Sequence, residues 1–268
     1  MTSLPSETGS AAAVVVIIGG TTGLGAALAA SLTRRGAAVV LTGRGPRKAQ
    51  EVAQRLPGEE TLGLACDIRS PGSAQAVWDA AIERFGRVDH WIVNAGIGLP
   101  MHSLDRVDPG ELAAVLDTNL TGSLMSAQCA LAGMLRQGSG RVWLTEGLGS
   151  SRRPAVPGSI AYSASKAGLT RAIELLTAEY RSSPVGIGAI RPAIMATGLT
   201  SAGPAAPPGP AGYLSRLITA SPEDVAEAFA PQILSASGPF VRVNWAAPAK
   251  VAGRIARDLR PGTLFGAQ

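Results

Sequence analysis

The sequence predicts an α/β fold: one doubly wound domain with a parallel sheet of about seven strands and helices on both faces. Three observations carry this. Ala13 to Gly19 (AVVVIIG) is a β-branched run apolar on both faces, as a strand buried on both sides of a parallel sheet requires. Strand-like and helix-like stretches then alternate with short connections, the pattern of repeated right-handed crossover units. No shift in composition marks a second domain, and 268 residues suit a single unit of this class.

The elements follow in order. A Gly-rich turn closes the first strand, and a helix pattern runs from about Gly23 to Arg35. Further strands are expected at Ala38 to Thr42, Thr61 to Cys66, Val88 to Val93, Arg141 to Thr145, Val185 to Ile190 and Phe240 to Trp245. Helices are expected over Pro46 to Leu56, Ser73 to Phe85, Pro109 to Gln137, Ser159 to Arg181 and Pro222 to Leu234. The segment Ser201 to Gly212 (SAGPAAPPGPAG) cannot be regular secondary structure. It follows a strand end, where ligands bind in such sheets, so residues 198–220 are expected to form a substrate lid; a surface loop is the alternative. Residues 1–12 read as a flexible leader. They lack a basic n-region, and the apolar run Ala11 to Ile18 is far short of the ~18 residues that span a bilayer.

Composition excludes several function classes. With 46% hydrophobic residues the chain can form a core and is not disordered. The net charge of +5 suggests an acidic partner, but the only lysines are Lys48, Lys166 and Lys250, and the arginines are scattered. No basic run of the length that marks a nucleic-acid site exists, so no nucleic-acid partner is expected. Cys66 and Cys129, with His90 and His102, supply neither a disulfide framework nor a zinc set. A cytoplasmic, metal-free protein without membrane insertion is the expectation.

Gly19-Gly20-Thr21-Thr22-Gly23-Leu24-Gly25 joins the first strand to the first helix. Glycines there allow a tight turn and let a phosphate approach backbone N–H groups at a helix N-terminus. The loop has G-x3-G-x-G spacing, which alone is a weak signal. It occurs together with Cys66-Asp67-Ile68, Asn94-Ala95-Gly96, Asn119 and Tyr162-Ser-Ala-Ser-Lys166, in that order. The set resembles the short-chain dehydrogenase/reductase family over about Val14 to Thr197. The resemblance implies a Rossmann-type fold, oxidoreductase activity and a nicotinamide cofactor. By it, Gly19, Thr21, Thr22, Gly23, Leu24 and Gly25 cradle the pyrophosphate and adenosine ribose. Asp67, beside Ile68, accepts a hydrogen bond from the adenine amino group, and Asn94, Ala95 and Gly96 border the ribose. Pro192, Ile194 and Thr197 hold the nicotinamide carboxamide, with Ala193 standing where the family usually has glycine.

Charge selects the cofactor. A free ribose 2′-hydroxyl is usually recognised by an acidic residue at the end of the second strand, and a 2′-phosphate by a nearby arginine. This strand ends Leu41-Thr42-Gly43-Arg44. Gly43 holds the acidic position and Arg44 follows, with the Thr22 hydroxyl within the same loop region, so NADP(H) is expected.

Tyr162 and Lys166 are four apart on an expected helix and share one face. A phenol of pKa about 10 moves near 7 for roughly 4 kcal/mol, about what one ammonium ~4 Å away supplies at an effective dielectric of ~20. Tyr162 would then serve as acid or base at neutral pH. By the resemblance it protonates a carbonyl oxygen, Lys166 also binds the nicotinamide ribose, and Asn119 carries a proton relay. The family places a serine that orients the substrate carbonyl about thirteen residues before the tyrosine. This chain departs from that pattern: Val142-Trp-Leu-Thr-Glu146-Gly-Leu-Gly149 is followed by Ser150-Ser151. Three readings follow. Ser150 or Ser151 folds back to supply the hydroxyl; Glu146, aligned with the serine, donates a hydrogen bond as a neutral acid; or the serine function is lost. In the last case the scaffold serves a non-redox step such as cyclisation, isomerisation or dehydration, or only binds cofactor.

On the substrate side, Met195 and Tyr213 are expected to line the pocket. Arg152, with Arg153, is either a clamp for a carboxylate or phosphate or a solvated pair. The expected partner is a small carbonyl or secondary alcohol. A C-terminal helix pattern near Pro248 to Leu259 stands in place of the family's tetramer seal, which leaves a homodimer through the long helices or a homotetramer.

Overall fold

The computed structural model describes residues 12–151, 156–192 and 220–245. Seven strands form one sheet in the order β3-β2-β1-β4-β5-β6-β7. They are β1 (Val14–Ile18), β2 (Ala38–Gly43), β3 (Thr61–Ala65), β4 (His90–Val93), β5 (Gly140–Thr145), β6 (Val185–Arg191) and β7 (Phe240–Asn244). Every neighbouring pair is parallel. The strand order reverses between β1 and β4, which opens a crevice at their carboxyl ends.

The two-sided apolar run seen in the sequence works as expected. Val15 and Ile17 face one core, and Val16 and Ile18 face the other. Helices α1 (Gly23–Thr33) and α2 (Pro46–Gln54), with α7 (Pro222–Leu234), cover the first face. Helices α3 (Ser73–Phe85), α5 (Ser123–Gln137) and α6 (Ile160–Glu179) cover the second. Burial is complete for the largest side chains on both faces, among them Trp143 and Phe229 on one and Trp91 and Met134 on the other. The Trp91 indole N–H is satisfied by Ser126 Oγ at 3.0 Å, as a buried polar atom requires.

One element differs from its expected form. The helix foreseen over Pro109 to Gln137 is α4 (Pro109–Leu116), then a π-helical turn over Asp117–Gly122, then α5. Asp108 caps α4 by accepting from the N–H groups of Gly110 and Glu111. The wide turn brings Asn119 inward and presses Gly122 onto the backbone of Ile68, where a Cβ would lie 2.7 Å from the carbonyl oxygen. Hydrophobic periodicity is blind to a single widened turn, and such turns cluster at functional sites.

At the opposite end of the sheet His90 is buried and accepts a hydrogen bond at Nδ1 from the Trp143 indole at 3.2 Å. Burial lowers its pKa from 6.5 to about 4, with Asp89 opposing and Arg141 assisting. A folded-state pKa below the unfolded one gives stability that is whole above pH 6.5 and lost as pH falls through 4. The shift amounts to about 3 kcal/mol. Denaturant unfolding of a His90→Gln variant, which keeps an acceptor for Trp143, is therefore expected to show a flatter stability profile between pH 6.5 and 4. An unchanged profile would place the acid sensitivity elsewhere.

Among the described residues no helix is long and apolar enough to cross a membrane, and no His, Cys, Asp and Glu side chains gather as a metal set. The leader, the 198–219 loop, the Pro248 to Leu259 pattern, and the site residues Arg152, Ile194, Met195, Thr197 and Tyr213 lie outside the described residues.

Candidate active site

The Gly-rich loop sits at the crevice between β1 and β4, and its glycines are fixed by close approach. Gly19 adopts φ +87°, and a Cβ there would lie 2.6 Å from Ala95 Cα. A Cβ on Gly25 would lie 2.0 Å from the Gly19 carbonyl oxygen, so the start of α1 rests directly on the turn. The Asn94 side-chain amide donates to that same carbonyl at 3.0 Å, and the Asn94 and Ala95 N–H groups both donate to Ile18 O. Leu24 is buried in the core, so it can offer a ligand only its backbone. Thr22 precedes α1 with no side-chain cap, which leaves the first-turn N–H groups at Gly23 to Gly25 for an anion. A pyrophosphate fits such an end: the first-turn N–H groups carry no side-chain cap, and the glycines let the turn close tightly on Ala95 and on the start of α1.

The end of β2 is equally constrained. A Cβ on Gly43 would lie 2.6 Å from Thr21 Cγ2, so an acidic side chain at the end of β2 would require Thr21 to shift. Arg44 is exposed beside it. Asp67 holds Arg69 through both carboxylate oxygens, at 3.1 Å from Nε and 2.7 Å from the terminal nitrogen. The Arg69 hydrogen bond lowers Asp67 to about 2, and Arg44 adds to the lowering through its field.

Helix α6 carries the pair expected to do the chemistry, Tyr162 and Lys166. Lys166 is buried, and its ammonium donates to the Thr145 carbonyl at 2.8 Å. It stands 5.8 Å from the centre of the Tyr162 ring. Asn119 is wholly buried: Oδ1 accepts from Ile97 N and Nδ2 donates to Ile97 O, both at 2.8 Å, with Ser165 Oγ at 3.2 Å. Gly96 separates Asn119 from the lysine, and a Cβ there would meet Asn119 Oδ1 at 3.3 Å and Lys166 Nζ at 3.8 Å. The structure thus brings Asn119, Gly96, Tyr162 and Lys166 to one place beside the loop after β4.

The electrostatics correct the expected phenol. Burial pushes Tyr162 up to about 12 and pulls Lys166 down to about 8, with Glu146 opposing the fall of the lysine. The Coulomb argument from sequence left out desolvation, and the ammonium is drawn onto the Thr145 carbonyl. Tyr162 is a neutral phenol at pH 7.

The serine position is also corrected. Gly147, one residue beyond Glu146, faces the tyrosine: a Cβ there would lie 2.6 Å from the Tyr162 hydroxyl. The Glu146 side chain is fully buried and turned to other partners. It accepts from Arg191 at 2.7 and 3.0 Å, from Thr170 Oγ1 at 3.3 Å and from Arg242 at 3.5 Å. Both of its oxygens are engaged by these donors, away from the tyrosine. Ser150 does fold back, but its Oγ accepts from Gly147 N at 3.0 Å and donates to Lys166 O at 3.4 Å. It braces the turn beneath the tyrosine.

Residues 13–206 match the family model described as short chain dehydrogenase. The chain belongs to the short-chain dehydrogenase/reductase family. Carbonyl reductase family member 4 of Danio rerio is 32% identical over 70% of this chain and 78% of its own. Cis-4-hydroxycyclohexanecarboxylate dehydrogenase of Sinomonas cyclohexanicum is 33% identical over 81% of this chain and 87% of its own. A metagenomic short-chain oxidoreductase solved in complex with NADP superposes with TM-score 0.71 at 25% identity, covering 88% of this chain and 97% of that one. The family is one of nicotinamide-dependent oxidoreductases, and its fold is the one described above.

Within this short-chain dehydrogenase scaffold, sequence reasoning missed four contributors. Arg191 and Arg242 meet Glu146 only through the pairing of β5, β6 and β7, and Thr170 reaches it from α6. Arg69 could have been found, since it stands two residues after Asp67 in a turn.

Proposed function

We propose that the chain is an NADP(H)-dependent oxidoreductase that interconverts a carbonyl and a secondary alcohol, with Tyr162 as the acid/base. The observation that carries this is the Tyr162 hydroxyl packed on Gly147, with the buried Lys166 5.8 Å from its ring and Asn119 across Gly96 from the lysine. A phenol of high pKa holds its proton at neutral pH and can deliver it to an oxygen as negative charge develops there. The first turn of α1 would hold the pyrophosphate, and Arg44 with Thr22 a 2′-phosphate. A bound reduced nicotinamide supplies the hydride. Tyr162 donates the proton, Lys166 offers its ammonium to the ribose, and Asn119 fixes the backbone at Ile97 that walls the site. The names of the relatives, a carbonyl reductase and an alcohol-oxidising dehydrogenase, support the same reaction class.

A second reading is favoured by one observation. Gly147 presents no hydroxyl to a substrate carbonyl, so the scaffold could run a step without net redox change. Consumption of NADPH with a panel of ketones and aldehydes separates the two. Carbonyl-dependent oxidation of NADPH is expected; tight binding with no oxidation, and a product of unchanged oxidation state, would support the second.

A further inference from the structure

Glu146 lies between two residues whose backbones meet the reacting pair. The carbonyl of Thr145 on one side receives the Lys166 ammonium, and Gly147 on the other touches the Tyr162 hydroxyl. The intervening side chain is 0% exposed and forms a two-pronged pair with Arg191 at the end of β6. Arg242 on β7 completes the cluster, 3.3 Å from Oε2. Thr170 Oγ1 divides its hydrogen bond between Glu146 Oε1 and the Lys166 carbonyl, at 3.3 and 3.0 Å, so the cluster is tied to the turn of α6 that carries the lysine. Backbone pairing adds a further tie, Glu146 N to Ile190 O at 2.8 Å.

We propose that Glu146 is a positioning residue of the active site: anchored by Arg191 and Arg242, it fixes the Thr145 and Gly147 peptides against Lys166 and Tyr162 and presents its negative charge to the lysine. The assignment rests on the reading of Tyr162 and Lys166 as the reacting pair. Two guanidiniums on one buried carboxylate hold it in a single orientation, because the fork geometry fits both oxygens at once. A shift of the anchored peptide would displace both reacting groups together, and misplacement by about 1 Å costs on the order of 100-fold in rate.

The charges around Lys166 set the direction of the electrostatic effect. On its own helix Tyr162 is neutral; the π-turn contributes the uncharged Asn119; Glu146 is the carboxylate whose field reaches the lysine, and Arg191 and Arg242 stand behind it. Burial draws the ammonium down to about 8 and Glu146 resists. Removing the carboxylate therefore lowers the lysine further and discharges it at physiological pH.

Lysine-selective isotope labelling gives a readout free of turnover, since the chain holds only Lys48, Lys166 and Lys250. The NMR signal lost in Lys166→Met identifies the residue, and its titration midpoint is expected near 8 in the parent protein. In Glu146→Gln that midpoint is expected to fall by about one pH unit or more. With an active assay, the alkaline limb of kcat falls with it, and kcat drops about tenfold or more while NADPH affinity stays within about threefold. Glu146→Asp keeps the charge, so its lysine midpoint is expected to stay near the parent value even where kcat falls. Should Glu146→Gln not fold, Arg242→Gln reads the same field from the other side: it keeps the carboxylate and removes one of its compensating charges, so the Lys166 midpoint is expected to rise, and an unmoved midpoint there overturns the assignment as well. A folded variant lacking Glu146 whose Lys166 midpoint is unmoved overturns the assignment. Absence of turnover in the parent protein, with the midpoint shift present, would instead overturn the carbonyl-reduction reading alone.

Discussion

Replacing Tyr162 by Phe is expected to lower kcat by about 1,000-fold or more while NADPH binding stays within about threefold. The phenol and phenyl rings fill the same space, and the ring's packing on α6 and Lys166 needs no hydroxyl. What is lost is the proton at the point where the hydroxyl touches Gly147. Among the described residues, Ser150 does not stand ready to replace it, because its Oγ is engaged by Gly147 N and Lys166 O. Initial rates and a cofactor fluorescence titration check both halves. A Phe variant that keeps more than about a tenth of the parental kcat would remove Tyr162 from the chemistry.

Replacing Arg44 by Ala is expected to weaken NADPH binding by about 10- to 100-fold and leave NADH binding nearly unchanged. A charge-assisted hydrogen bond to a 2′-phosphate contributes about 1.5–3 kcal/mol, and the exposed position of Arg44 makes the gain smaller at high salt. The cofactor lacking that phosphate never makes the contact. Gly43 works against the reverse selection: a side chain there runs into the Thr21 side chain, which would have to shift to admit an acidic residue. Equal weakening of both cofactors, or of neither, would contradict the assigned role.

The parts legible in sequence were those written as local patterns. The first strand is apolar on both faces, and the Gly-rich turn, Asn94-Ala95-Gly96 and Tyr162 to Lys166 fall at element ends that a parallel α/β order dictates. Three things were not legible. The π-turn at Asn119 adds one residue to a helical turn, and apolar spacing over Pro109 to Gln137 averages over it. The neighbour of the tyrosine is set by the strand's exit from the sheet. A slip of one residue there exchanges Glu146 for Gly147 and inverts the chemistry assigned to the position. The charge on Tyr162 depends on burial, which spacing does not report; a Coulomb term from Lys166 alone pointed the wrong way. Arg191 and Arg242 were legible only as arginines, because what makes them matter is the register that sets β6 beside β5 and β7.

Hydride transfer is the step that separates an oxidoreductase from a scaffold that only holds its cofactor. NADPH deuterated at nicotinamide C4, used as each epimer in turn with the carbonyl panel, follows that step directly. One epimer is expected to place deuterium on the carbinol carbon of the product in step with cofactor oxidation. Cofactor that binds and stays unoxidised while an unlabelled product of unchanged oxidation state accumulates would contradict the assignment.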